Sequence, residues 1–154
     1  MSASTTDDAV VPRRGARPAS YVLDQQVGFV LRQASQRHTS IFASLMVGDL
    51  TSTQWAALSK LHEVGPSSQN QLGRLTAMDV ATVKGVVDRL VNRGLVATEP
   101  DPADGRRLLV ALTDEGRALV EEAMPIAWRI TEETLKPLSE KERKLFLVLL
   151  SRLT

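Results

Sequence analysis

The stretch from Asp79 to Thr113, DVATVKGVVDRLVNRGLVATEPDPADGRRLLVALT, constrains the fold more than any other part of the chain. An Asp N-cap opens an amphipathic run whose apolar positions Val83, Val86, Val87 and Leu90 recur at helical spacing, and Gly94 supplies the left-handed residue that stops it. A strand over Leu95-Val96-Ala97 follows, the turn-rich DPADGRR reverses the chain, and Leu108 to Leu112 returns as a second strand. Helix, strand, basic turn and strand in this order spell a winged helix. Its hairpin tip carries Arg106 and Arg107, where a phosphate backbone could meet them.

The flanking sequence extends the pattern. Leu23, Val27, Val30, Leu31, Ala34, His38, Ile41, Phe42 and Leu45 fall on one stripe of a long helix read from Tyr21 and ended by Gly48. Thr51 and Gln54 offer a capping box to a second helix, which Gly65-Pro66 terminates. Ser68 caps a short helix through Leu75, and the four residues TAMD separate it from the helix begun at Asp79, which makes a helix-turn-helix. Thr113 caps another long helix, with a bend expected at Pro125 and an end near Pro137. Ser139 and Glu142 then box a final helix whose Leu145, Phe146, Leu149, Leu150 and Leu153 are too apolar for a lone surface helix.

The expected fold is therefore mainly α with a small β-hairpin wing: a winged helix-turn-helix with long N- and C-terminal dimerisation helices. Residues 1–20, polar and rich in Pro, Ser, Thr and Arg, read as a flexible arm. Residues 21–154 read as one domain, with the winged helix-turn-helix over about 51–113 and dimerisation helices over about 21–47 and 114–154. Apolar stripes on terminal helices bury themselves most simply against a second copy, so Leu23, Val27, Phe146, Leu149, Leu150 and Leu153 are the expected dimer contacts. Such a dimer sets two recognition helices about one DNA turn apart, on the order of 34 Å, and reads a pseudo-palindromic operator in double-stranded DNA.

Composition narrows the chemistry. A net charge of +1 exerts no strong pull on nucleic acid, and residues 74–107 hold six basic against five acidic side chains. Any DNA affinity must come from where the charges stand. The absence of cysteine excludes disulfides, thiolate metal sites and thiol redox switches. No histidine or carboxylate spacing supports a metal or other cofactor, and no ordered Ser, His and Asp set supports catalysis, so no enzyme is expected. Residues 1–20 lack an apolar core of the secretory kind, and no apolar run is long enough for a membrane; a cytoplasmic protein with no membrane partner is expected.

The motifs resemble the MarR family of bacterial transcription regulators from about Val22 to Leu153. The most specific element is D-x-R followed by five residues and LT, carried by Asp104, Arg106 and Leu112-Thr113, with DRLVNRGLV and DPADGRR beside it. The resemblance implies a DNA-binding set of Gln69, Arg74, Ala81, Thr82, Lys84, Arg89, Arg106 and Arg107. Here the chain departs from the family, with Gly85 where a polar or basic residue is common and Ala81 where Ser is common. That leaves Thr82 and Lys84 as the expected groove-facing side chains, with Gln69 and Arg74 on the backbone and Arg106 in a minor groove. The plain alternatives are a turn arginine paired with Asp104 and a solvated helix face.

His38, expected to be at least partly buried, together with Trp55 and His62, two helical turns apart, are the candidate effector residues, since MarR-like proteins often bind small aromatic acids. An ordinary core tryptophan and hydrogen-bonded histidines would leave the same sequence. The functional expectation is a homodimeric repressor released by an aromatic carboxylate of the hydroxybenzoate or hydroxynicotinate type. Two alternatives stay open: a winged-helix DNA binder without a ligand, and a protein-interaction module.

Overall fold

A computed structural model describes residues 20–154, so the arm read over residues 1–20 lies, but for Ser20, outside the described residues. The described residues divide into two units, 20–35 and 36–154. In the first, Leu23–Gln25 form a single 3-10 turn and helix α1, Val27–Leu45, begins. This corrects the helix expected from Tyr21. Gln26 has extended backbone, and its side-chain amide donates to the Val22 carbonyl 3.0 Å away, which breaks the helical path before Val27. Leu23, Val27, Val30 and Leu31 stand exposed.

The second unit holds the end of α1 and all remaining elements: α2 (Ser52–Val64), β1 (Ser67–Ser68), α3 (Gln69–Leu75), α4 (Val80–Asn92), β2 (Val96–Pro100), β3 (Leu108–Leu112), α5 (Asp114–Leu135) and α6 (Glu140–Ser151). Capping explains most of these boundaries. Each helix from α2 to α6 starts after a Thr, Ser or Asp whose side chain accepts a backbone N–H three residues on, and Thr51 and Ser139 make full capping boxes with Gln54 and Glu142. The Ser139 hydroxyl and backbone N–H together hold the Glu142 carboxyl below the usual carboxylate range. Helix α5 continues through Pro125.

The three strands form one antiparallel sheet in the order β1-β3-β2. Register runs from Val96 opposite Leu112 to Pro100 opposite Leu108, and Ser67 and Ser68 pair with Val110 and Leu109. The first wing strand thus starts at Val96, one residue later than expected, and runs on to Pro100. The two-residue β1 has no sequence period to betray it; pairing with β3 alone makes it a strand.

The core lies where α2, α3, α4 and α5 meet the sheet. Leu58, Leu72, Val83, Val86, Leu90, Val96 and Val120 are fully enclosed. The stripe Val83, Val86, Val87 and Leu90 faces this core, which turns the other side of α4 outward.

Candidate functional site

Helix α4 presents Val80, Ala81, Thr82, Lys84, Asp88 and Arg89 to solvent. Its first turn is fixed by Asp79, whose carboxylate accepts the Thr82 N–H at 2.7 Å. The Thr82 backbone N–H, then its hydroxyl, hold that carboxyl below the usual aspartate range. Lys84 pairs with Asp88 at 2.7 Å, and both side chains remain more than half exposed. An exposed pair at this spacing is worth about 0.3–0.5 kcal/mol, too little to hold Lys84 against a stronger anion.

A shallow cleft of about 340 Å³ lies between α3 and the wing, lined by Ser68, Gln69, Asn70, Arg74, Arg107 and Leu108. It brings together Gln69 and Arg74 from one element and Arg107 from another, residues more than thirty positions apart. Two cations facing one concavity suit a phosphate.

At the wing tip both aspartates are engaged in turns. Asp101 Oδ1 accepts the Ala103 N–H at 2.8 Å, Asp104 Oδ1 accepts the Arg106 N–H at 3.1 Å, and the Arg107 N–H donates to the Asp104 carbonyl at 2.9 Å. Arg106 also pairs with Asp104, its Nε 3.6 Å from Oδ1, yet its side chain is 96% exposed. A pair this long and this wet is nearly worthless in stability, so the guanidinium is free to exchange partners. This is the solvated turn arginine paired with Asp104 that the sequence also allowed.

Arg93 behaves differently from its basic neighbours. Its guanidinium donates to the Gly48 carbonyl, to the Asp49 carbonyl at 3.3 Å and to Gln54 Oε1 at 3.4 Å. It ties the end of α4 to the turn before α2, where Gly48 and Asp49 both have positive φ. Its charge is spent on structure.

The aromatic side of α2 opens onto two adjoining clefts. The larger, about 470 Å³, is lined by Trp55, Ser59, His62, Glu63, Val120, Met124, Ala127, Trp128 and Thr131. The smaller, about 220 Å³, is lined by His38, Phe42, Ser52, Trp55, Ala127, Ile130 and Thr131. Trp55 stands between them, so His38 and His62 flank it from separate clefts. His38 is exposed, contrary to the burial expected, because Phe42 is the one buried residue of the α1 stripe. Its Nδ1 lies 2.9 Å from Thr134 Oγ1, whose own proton goes to the Ile130 carbonyl at 2.7 Å. With that hydroxyl proton engaged, Nδ1 is the donor of this bond and Nε2 is left for another partner. Arg37 anchors the same region by donating to the Glu133 and Thr134 carbonyls. Sequence reading missed Trp128, 69% exposed on α5. Its helical spacing from Met124 and Thr131 was the available clue.

Among the described residues there is no cluster of three or more His, Asp or Glu suited to a metal, and no helix long and apolar enough to cross a membrane.

A helix-turn-helix followed by an arginine-tipped wing defines the winged-helix class of transcription regulators. The sequence model of the MarR family matches residues 48–107. The HTH-type transcriptional repressor NicR of Pseudomonas putida is 43% identical over 134 residues, covering 86% of this chain and 85% of the relative. A probable transcriptional regulator from Pseudomonas aeruginosa, solved by crystallography, is 54% identical with a TM-score of 0.84, covering 86% of this chain and all of that one. Bordetella bronchiseptica BpsR, whose DNA binding is regulated by 6-hydroxynicotinic acid, is 43% identical with a TM-score of 0.83, over 87% of this chain and 96% of that one. The chain belongs to the MarR family and is a transcription regulator, not an enzyme.

Proposed function

We propose that the protein is a cytoplasmic homodimer that represses transcription from a pseudo-palindromic operator and is released by a small aromatic acid of the hydroxynicotinate or hydroxybenzoate type. The observation that carries this reading is the shared helix α2. One face of α2 buries Ala57, Leu58 and Leu61 in the core beside α4, while Trp55 and His62 line the cleft. A ligand wedged against Trp55 acts directly on the helix that supports α4. Indole faces suit a flat aromatic ring, and His38 Nε2 suits a ring hydroxyl. Repression would fail through a population shift: the ligand binds best to dimers whose two recognition helices are wrongly spaced, and its differential affinity sets the loss of DNA binding. The resemblance to NicR and BpsR supports the choice of ligand class.

Both tryptophans of the chain line the larger cleft, so ligand entry has a built-in reporter. Titration with 6-hydroxynicotinic acid should quench intrinsic fluorescence, and a duplex spanning the intergenic region beside its own gene should be released over the same concentration range. A DNA complex and an emission spectrum both unmoved by hydroxynicotinates and hydroxybenzoates would leave a ligand-independent regulator instead.

The DNA face is tested separately at the wing. Arg106→Ala should weaken binding to that duplex and flatten the log–log dependence of affinity on salt by roughly one unit per wing. Affinity and slope equal to those of the unaltered protein would remove Arg106 from the interface.

A further inference from the structure

We infer that Arg89 reads a guanine in each half-site through the space left vacant at Gly85; this rests on the DNA-binding function proposed above. A Cβ placed on Gly85 would stand 3.6 Å from Arg89 Nη2, 3.8 Å from Nη1 and 3.9 Å from Cζ. Both terminal nitrogens lie nearer that point than Cζ does, so the N–H end of the fork reaches over the bare backbone of Gly85. It lies one helical turn nearer the N-terminus of α4 than its own Cα, the direction in which long helical side chains lean. Side chains toward the N-terminal end of a recognition helix are the ones that meet base edges.

The other cations of this surface are placed differently. Lys84 is weakly paired with Asp88 at 2.7 Å, Arg93 is tied to the carbonyls of Gly48 and Asp49, Arg74 and Arg107 face the cleft between α3 and the wing, and Arg106 stands on the wing. Arg89 makes no ion pair with any described residue. A planar fork matches O6 and N7 of guanine in the major groove, whereas an ammonium does not. The glycine by itself weakens a helix interior; a lone Cβ there would just touch the guanidinium, whereas a side chain reaching beyond Cβ would compete with it for the same place.

Selection from a duplex library with a randomised centre tests this with the intact protein and its Arg89→Ala and Arg89→Lys variants. The unaltered protein should recover a pseudo-palindrome with one G·C pair fixed at a symmetric position. Arg89→Ala should lose the preference there by about ten-fold or more while other positions keep theirs. Arg89→Lys should keep the salt dependence and lose the same discrimination. Uniform weakening across all sequences in Arg89→Ala, with a shallower salt slope, would make Arg89 a phosphate contact and overturn the inference. So would a Lys variant that discriminates as well as Arg. An unaltered protein that binds no duplex even at low salt overturns the DNA-binding function itself. Arg89 is exposed, so matching thermal unfolding of the variants will separate these outcomes from misfolding.

Discussion

Gly116→Ala should lower the melting temperature of the protein by roughly 5–10 °C, although the same substitution in an open helix raises stability. Alanine gains about 1 kcal/mol over glycine in a helix interior. At Gly116, in the first turn of α5, the added Cβ would fall 1.9 Å from the Leu95 carbonyl oxygen and 2.9 Å from its carbon. That carbonyl cannot step aside cheaply. It accepts the Thr113 N–H at 3.1 Å, the Leu95 N–H is held by the Leu90 carbonyl at 3.0 Å, and the Thr113 hydroxyl donates to the Gly94 carbonyl at 2.6 Å. Recognition helix, first wing strand and α5 are knotted together at this point. Overpacking against such a fixed backbone costs about 1–3 kcal/mol and at times more, which exceeds the propensity gain. Gly28→Ala is the control, since nothing lies within 4 Å of its Cβ position, and it should leave the melting temperature unchanged or slightly higher. Unfolding of the Gly116 variant at the temperature of the unaltered protein, followed by circular dichroism, would refute the argument.

On the homodimer proposed above, Phe146→Asp should yield a folded monomer whose operator affinity is reduced by about 100-fold or more, because the second half-site would no longer be tethered to the first. Helix α6 exposes Leu145, Phe146, Leu147, Val148 and Leu149, with Leu153 beyond it, and buries no residue within the single chain. Leu150 is half-buried. Burying each such side chain is worth roughly 1.5–3 kcal/mol, and a partner copy would cover them all twice over by symmetry. A carboxylate at position 146 sets an uncompensated charge in that apolar contact. Since α6 supplies nothing to the core, circular dichroism should be unchanged while sedimentation reports the mass of one chain. A Phe146→Asp protein that sediments as a dimer and binds the duplex normally would move the interface away from α6.

The sequence was most legible where the interactions are local. The caps of α2 to α6 join side chains to backbone groups three residues away, so they can be read directly from Thr51, Ser68, Asp79, Thr113 and Ser139. The wing was legible for the same reason: Asp101 and Asp104 organise a turn within seven residues. Strand limits were less so, because pairing with β3 fixes both β1 and the extension of β2 to Pro100. The start of α1 at Val27 was hidden by an apolar stripe that continues through a 3-10 turn.

Charge counting shows the same division. Six basic residues near the motif look equivalent in sequence; in space Arg93 is a strut, Lys84 is paired, Arg74 and Arg107 share a cleft, Arg106 stands exposed on the wing, and Arg89 lies over Gly85. The candidate effector residues divide likewise. Trp55 and His62 share a helix and could be grouped by spacing, but Trp128 joins them from α5, some seventy positions on. The order of elements, their caps and the basic wing can be read along the chain, because each follows from hydrogen bonds and periodicities within a few residues. Which arginines are free, where the aromatic cleft opens and why Gly116 must remain glycine emerge in three dimensions alone, because they depend on contacts between residues that no local period connects.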